Sequence, residues 1–219
     1  MGQEIDLLVN YPRTKRNVQE RALTKTEEDR AIARQFGREF FDGSRSTGYG
    51  GFNYHPRFWQ PVIPSFQNYF GLHSGSKVLD VGCGKGFMLQ DFIELIPGIE
   101  IAGIDISSYA IENAMDSVKS FVKVADARML PYADKSFDLV ISINTIHNLE
   151  KDELEQALLE ITRVSRGKSF ITVDAYHNEE EKKAMYAWNL TAKTIMHVDE
   201  WKAFFKKVGY AGDYYWFTP

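Results

Sequence analysis

Between Val78 and Gly86 the chain reads Val78-Leu79-Asp80-Val81-Gly82-Cys83-Gly84-Lys85-Gly86, a short apolar run that passes into three glycines spaced G-x-G-x-G. A loop of this kind offers backbone amides with no Cβ in the way, so a ligand can approach the main chain closely. Two carboxylates stand at the ends of later apolar runs. Asp105 closes Ile101–Asp105, 25 positions after Asp80, where a carboxylate can accept both hydrogen bonds of a ribose diol. Asp126 follows Phe121–Ala125, placed to accept from an adenine amino group. His147 lies beyond the run Phe137–Ile143; an imidazole there can take a proton near neutral pH, or can pack beside a ligand and bond a loop carbonyl. Each feature alone has a plain structural reading, since glycines make tight turns and acids cap helices. Together, at successive strand ends, they point to a ligand that carries ribose and adenine.

The elements that must position these residues follow from periodicity. Strands are expected at Lys77–Val81, Ile101–Asp105, Phe121–Ala125, Phe137–Ile143, Ser169–Asp174 and Asp213–Phe217. Helices are expected at Phe87–Ile96, Tyr109–Val118, Lys151–Val164, from Asn178 to about Thr194, and at Asp199–Val208. This alternation predicts βαβ units and a mostly parallel sheet of six or seven strands with helices on both faces, a Rossmann-like α/β fold. Only ten residues follow Gly209, so either six strands form or a short seventh lies around Thr194–Val198. Ahead of this core, residues 1–24 are polar and read as a loosely packed arm. Thr26 with Glu27, Glu28 and Asp29 starts a helix to Phe41, and a second is expected from Pro56 to Tyr69 despite Pro61 and Pro64. The chain thus divides into an N-terminal helical extension, 1–70, and a core, 71–219. Between the two helices, Asp42–His55 mixes four glycines with Tyr49, Phe52 and Tyr54; residues 42–60 suit a cover over an acceptor pocket, or aromatics that cap the core.

The segment Lys77 to about Asp174 resembles the class I S-adenosylmethionine-dependent methyltransferases. Asp80–Gly86 is similar to that family's first motif, Ile104-Asp105-Ile106-Ser107 to its ribose-binding motif, and Asp126-Ala127 with Ser136-Phe137-Asp138-Leu139-Val140 to its adenine loop and fourth strand. Ser142–Leu149 resembles the stretch that passes the methionine moiety in small-molecule members. The resemblance implies S-adenosyl-L-methionine as cofactor, leaving as S-adenosyl-L-homocysteine. It implies that Asp80 reaches toward the methionine amino group, with Gly82 and Gly84 admitting the backbone and the Cys83 carbonyl accepting from the amine. Asp105 would hold the ribose, Ile106 cover the adenine face, Asp126 and the Ala127 amide read the adenine edge, and Asn144 contact the methionine end. His147 is the candidate base, and Tyr49, Tyr54, His55 and Tyr176 are candidates for the acceptor side. The family usually closes its sheet with an antiparallel pair, for which the tail here is short.

Competing chemistry fits less well. A dinucleotide fingerprint needs G-x-G-x-x-G, but position 87 is Phe, and the phosphate-loop pattern G-x-x-x-x-G-K-[ST] is absent. No run of acids and histidines has metal-ligand spacing, Asp174 and His177 being too few, so no metal is expected. Cys83 is the single cysteine of 219 residues, which excludes an internal disulfide and suits a reducing compartment. A net charge of −4 argues against a broad nucleic-acid footprint. Glu4 and Asp6 near the start are unlike a secretory signal, and no apolar run nears the ~18–20 residues that span a bilayer. The expectation is a cytoplasmic methyltransferase acting on a small metabolite, without nucleic-acid or membrane partners, with a homodimer as a candidate assembly. Methylation of RNA or protein, or a cofactor-binding subunit without turnover, are the alternatives.

Overall fold

Alternating side chains decide how the first strand sits in the sheet. In β1 (Lys77–Val81), Val78 packs with one apolar layer, while Leu79 and Val81 pack with the other. A strand covered on both faces must be flanked by helices, and the computed structural model, which describes residues 2–12 and 25–218, has that arrangement. Among the described residues, α1 (Glu27–Ala33), α2 (Arg38–Asp42) and α3 (Ile63–Phe70) precede β1. There follow α4 (Phe87–Leu95), β2 (Glu100–Asp105), α5 (Ser108–Glu112), β3 (Val122–Val124), β4 (Leu139–Ile143) and α6 (Lys151–Val164). The chain ends with β5 (Ser169–Tyr176), α7 (Glu179–Trp188), β6 (Met196–His197), α8 (Val198–Val208) and β7 (Asp213–Phe217). The seven strands form one parallel sheet in the order β3-β2-β1-β4-β5-β6, with β7 also on β5.

One face is covered by α3 and α4: Ile63, Phe66, Phe70 and Phe92 pack on Val78, Ile101, Leu139, Ile141 and Phe170. The other is covered by α6 and α8: Leu154, Leu158, Ile161, Trp201 and Phe205 pack on Leu79, Val140, Ile171 and Val173. The N-terminal extension therefore shares a core with the sheet through α3. No helix among the described residues is long and apolar enough to cross a membrane.

The outer edge departs from the family pattern. Instead of an antiparallel pair, β7 lies parallel to β5, from Phe170 opposite Asp213 to Asp174 opposite Phe217, and β6 continues that edge at Ala175 and Tyr176. The short seventh strand is thus at Met196–His197. The free side of β7 is taken by the start of the chain: Ile5 N–H donates to Tyr214 O (2.9 Å) and Tyr214 N–H to Gln3 O (3.1 Å). Leu7 is buried against the α3 face. For residues 2–12 the loose arm is replaced by a paired edge; 13–24 lie outside the described residues.

Several elements are shorter than periodicity suggests, each for a local reason. The capping box Thr26/Asp29 starts α1 as expected, but Phe36 (φ 50°) and Gly37 break the helix before α2. The Phe36 carbonyl is claimed by Ser107 Oγ at 2.5 Å. With Pro61 and Pro64 in the way, the second helix begins only at Ile63. After one turn α5 stops and Met115 N–H turns back onto Lys85 O (3.1 Å). The helix expected to reach Thr194 ends at Trp188. There Asn189 closes a side-chain turn with Ala192, and the Lys193 and Thr194 amides dock on His147 O.

Candidate active site

The strand order reverses between β1 and β4, since α4 carries the chain from β1 outward to β2 while β4 pairs on the opposite side. At such a switch point the connections diverge and leave a crevice at the carboxyl edge of the sheet. The glycine loop fills its floor. Gly82, Gly84 and Gly86 all have positive φ (90°, 53° and 79°), a region that side chains rarely adopt. Close neighbours reinforce the choice. A Cβ on Gly82 would stand 2.1 Å from Thr145 Oγ1, and one on Gly86 2.5 Å from Val118 Cγ2.

The loop is pinned to β2. Gly82 and Cys83 N–H both donate to Ile104 O (2.7 and 2.9 Å), and Gly84 N–H donates to Asp105 Oδ2 (2.8 Å). Asp105 Oδ1 accepts from Ser107 N–H (2.9 Å). Burial raises the Asp105 pKa, and these backbone donors oppose the rise. Each oxygen keeps a second lone pair for an incoming hydroxyl. The Cys83 carbonyl already accepts from Gly86 N–H (2.9 Å), and its buried thiol, pushed well up by desolvation, is a poor nucleophile.

Asp80 is different. The residue is 5% exposed, and its carboxylate accepts no hydrogen bond from a described residue. Burial, with the charge of Asp105 beside it, pushes its pKa up to about 7. A buried acid without a hydrogen-bond donor costs stability unless a cation or donor meets it.

Next along the edge, Ile106 is 55% exposed, an apolar side chain left open beside Asp105. Asp126 and Ala127 follow β3, whose end is tied to Asp105 by Ala125 N–H (3.0 Å to Asp105 O). Both Asp126 oxygens are engaged by Arg128, which also holds Glu153 of α6, and this pairing lowers the Asp126 pKa. Reading an adenine amino group would use the remaining lone pairs or displace the guanidinium. On the other side of the crevice Asn144 takes a left-handed turn (φ 52°). Its N–H and Oδ1 are both fixed by Thr172 Oγ1 (2.9 and 2.8 Å).

His147 sits in a one-turn helix, Ile146–Asn148, and is buried. Its Nδ1 accepts from Asp174 N–H at 2.9 Å, with Asp174 Oδ1 3.4 Å away. Desolvation lowers its pKa more than Asp174 raises it, so the ring is neutral with its proton on Nε2. In that tautomer no lone pair is left to receive a proton from an acceptor.

Above the crevice lies a roof built from 36–52. The Phe41 ring touches Gly84, with Cε1 3.3 Å from where a Cβ would be. Tyr49 stacks on Phe40 (5.3 Å between centroids) and meets Phe41 and Phe52 edge-on. Lys85 Nζ donates to Asp42 Oδ1 (2.5 Å) and to Phe52 O (3.0 Å), and Tyr109 OH donates to Asp42 Oδ2 (2.8 Å). On the far side Arg30 Nε reaches Asn189 O (3.2 Å). Three acceptor-side candidates lie apart from this roof. Tyr54 donates to buried Asp91 Oδ1 (2.6 Å) on α4, His55 is exposed against Phe58, and Tyr176 ends β5 with its ring on His197. Lys85, Asp42 and Tyr109 escaped the sequence reading because the Lys85–Asp42 partners are 43 positions apart. The one available signal was a lysine between two glycines.

The floor, the paired acids and the roof suit a nucleoside donor with a cationic tail. Residues 72–211 match the family model described as a methyltransferase domain. The chain belongs to that family, as a class I S-adenosylmethionine-dependent methyltransferase. It is 35% identical over 143 residues to a tRNA (carboxymethyluridine(34)-5-O)-methyltransferase of Arabidopsis thaliana, covering 64% of this chain and 33% of the relative. It is 29% identical over 128 residues to a malonyl-[acyl-carrier protein] O-methyltransferase of Legionella pneumophila, covering 57% of this chain and 44% of that relative. The chain thus spans less than half the length of either. The structure of YcgJ from Bacillus subtilis superposes with a TM-score of 0.55 over 67% of this chain and 66% of that one, at 19% identity, a likeness of fold.

Proposed function

We propose that the protein methylates a small-molecule acceptor that enters beneath the aromatic roof. S-adenosylmethionine, when bound, supplies a methyl group already activated on a sulfonium, so transfer is an in-line displacement governed by alignment and exclusion of water. Asp105 accepts from the ribose hydroxyls, Asp80 faces the cationic methionine end, and Ile106 covers the adenine face. Asp126 and the Ala127 amide read the adenine edge, and the turn at Asn144 borders the methionine end. His147 holds the β4 turn against β5 through Asp174, and the transfer then relies on alignment or on a proton acceptor other than His147.

The roof carries the small-molecule reading: residues 36–52 lie across the glycine loop with Phe41 on Gly84, a covered site suited to a compact acceptor. The similarity to a tRNA methyltransferase supports RNA as the second reading, which a net charge of −4 opposes. Methyl-labelled donor offered with metabolite, RNA and protein pools separates them. Label in the metabolite fraction is the expected result, and label confined to RNA would replace this reading with the second.

A further inference from the structure

The glycine loop carries a cation that points away from the crevice floor and into the roof. The Lys85 side chain is 9% exposed, and its ammonium bonds Asp42 and the carbonyl of Phe52. Asp42 ends α2 and Phe52 comes ten residues later. One ammonium therefore joins both ends of the loop 43–51, which includes Tyr49. The other Asp42 oxygen is taken by Tyr109, four positions beyond Asp105. The loop is fastened to the two elements that face the donor: the glycine loop through Lys85 and the start of α5, just after Asp105, through Tyr109. A buried ammonium stripped of its carboxylate is costly, so intermediate positions are disfavoured. Either the loop is seated on Lys85 or Lys85 is released to water.

We propose that Lys85 is a positioning residue of the donor site: it staples loop 43–51 over the glycine loop and thereby sets how long the donor stays bound. This rests on the methyl-donor reading above. Binding at the glycine loop holds Lys85 in place, and the seated loop holds Phe41 over Gly84. Release of the donor requires the staple to open.

The test uses S-adenosylhomocysteine as probe, which binds without turnover. Stopped-flow dissociation from wild type is compared with Lys85→Met, Lys85→Arg, Asp42→Asn and Tyr109→Phe. Lys85→Met should release the probe at least about tenfold faster, the scale of one buried charge-assisted hydrogen bond. Lys85→Arg should recover part of the loss. Asp42→Asn should weaken retention like Lys85→Met, and the double variant should lose less than the two single losses combined, because both break the Lys85–Asp42 contact. Hydrogen exchange across 43–51 should quicken in parallel. Tyr109→Phe keeps the ring and should show a smaller increase of about two- to threefold, so the proposal stays testable if the Lys85 variants fold poorly. Absence of probe binding to wild type by calorimetry would overturn the donor reading itself. Normal binding, with wild-type release and exchange in Lys85→Met or Tyr109→Phe, would overturn the staple alone.

Discussion

If Asp80 faces the methionine end of the donor, as proposed, a single buried acid ties donor binding to pH. Its folded pKa, about 7, lies above the roughly 3.9 of an unfolded aspartate, so the folded chain prefers the protonated form. That preference favours folding fully below about pH 4 and is lost as pH climbs to 7, where the free protein pays for an ionised, unpaired carboxylate. A cationic donor bonding the ionised form would reverse the balance. Donor affinity measured by calorimetry should therefore rise with pH up to about 7 and level off above. Asp105 is the charged neighbour that shapes this titration, and it stays in place in Asp80→Asn. That variant should bind more weakly, by about 1–3 kcal/mol, with a flat pH profile. A slope that survives in Asp80→Asn would assign the titration elsewhere. His147 makes a second case at this scale. Asparagine can offer an oxygen to Asp174 N–H where Nδ1 does so now, so His147→Asn should keep most turnover and leave the pH–rate profile unchanged. His147→Ala should lower unfolding stability by about 1–3 kcal/mol through the orphaned amide. A turnover loss of about 10²-fold or more in His147→Asn would restore the general base.

Elements show where sequence is legible and where it stops. The strands β1, β2 and β4 and the helices α4 and α6 were readable because each buries an apolar stripe of fixed period, and because glycines with positive φ end β1. The placement of Asp105 at the end of β2, and of Asp80 one residue before the end of β1, was readable for the same reason. The helix expected at Tyr109–Val118 and the strand at Phe121–Ala125 shrank to Ser108–Glu112 and Val122–Val124, where few side chains are buried. What escaped was set by tertiary contact. Nothing local in Thr26–Phe41 reports that Ser107 will take the Phe36 carbonyl, and nothing in Tyr109–Val118 reports that Met115 will fold back onto Lys85. The truncation of α5 serves the glycine loop, since it brings Val118 to the space that Gly86 leaves open. Gly86→Ala should thus lose stability twice, by about 1–3 kcal/mol from overpacking and about 1–2 kcal/mol from its left-handed backbone. Adding Val118→Ala should return only the packing part. Full recovery in chemical denaturation would mean that backbone strain at Gly86 contributes nothing.

At the scale of the whole molecule, the sheet is closed by its own beginning. A parallel β7 leaves a row of backbone donors and acceptors facing outward, an edge that can template pairing with another chain. Here Gln3–Ile5 cover part of that row, Glu4 pairs with Lys202 of α8 (3.0 Å), and Leu7 enters the α3 layer. Gln3 also bonds Asp213 and Tyr69, joining β7 to α3. These contacts bring together the first and last described elements, so they form only when nearly the whole chain is in place, and they bear on cooperativity more than on the crevice. Removal of residues 1–8 should therefore leave affinity for S-adenosylhomocysteine nearly unchanged, because the crevice is built by β1, β2, β4 and 36–52. Thermal stability should fall by about 2–4 kcal/mol, the scale of burying Leu7 plus two backbone hydrogen bonds. The uncovered edge should add concentration-dependent association, visible by light scattering, which a proline at Tyr215 would not suppress but one at Tyr214 would, since Tyr214 N–H is the exposed donor. A truncated protein that stays monomeric and melts like the full chain would show that the pairing at Tyr214 is incidental to the fold.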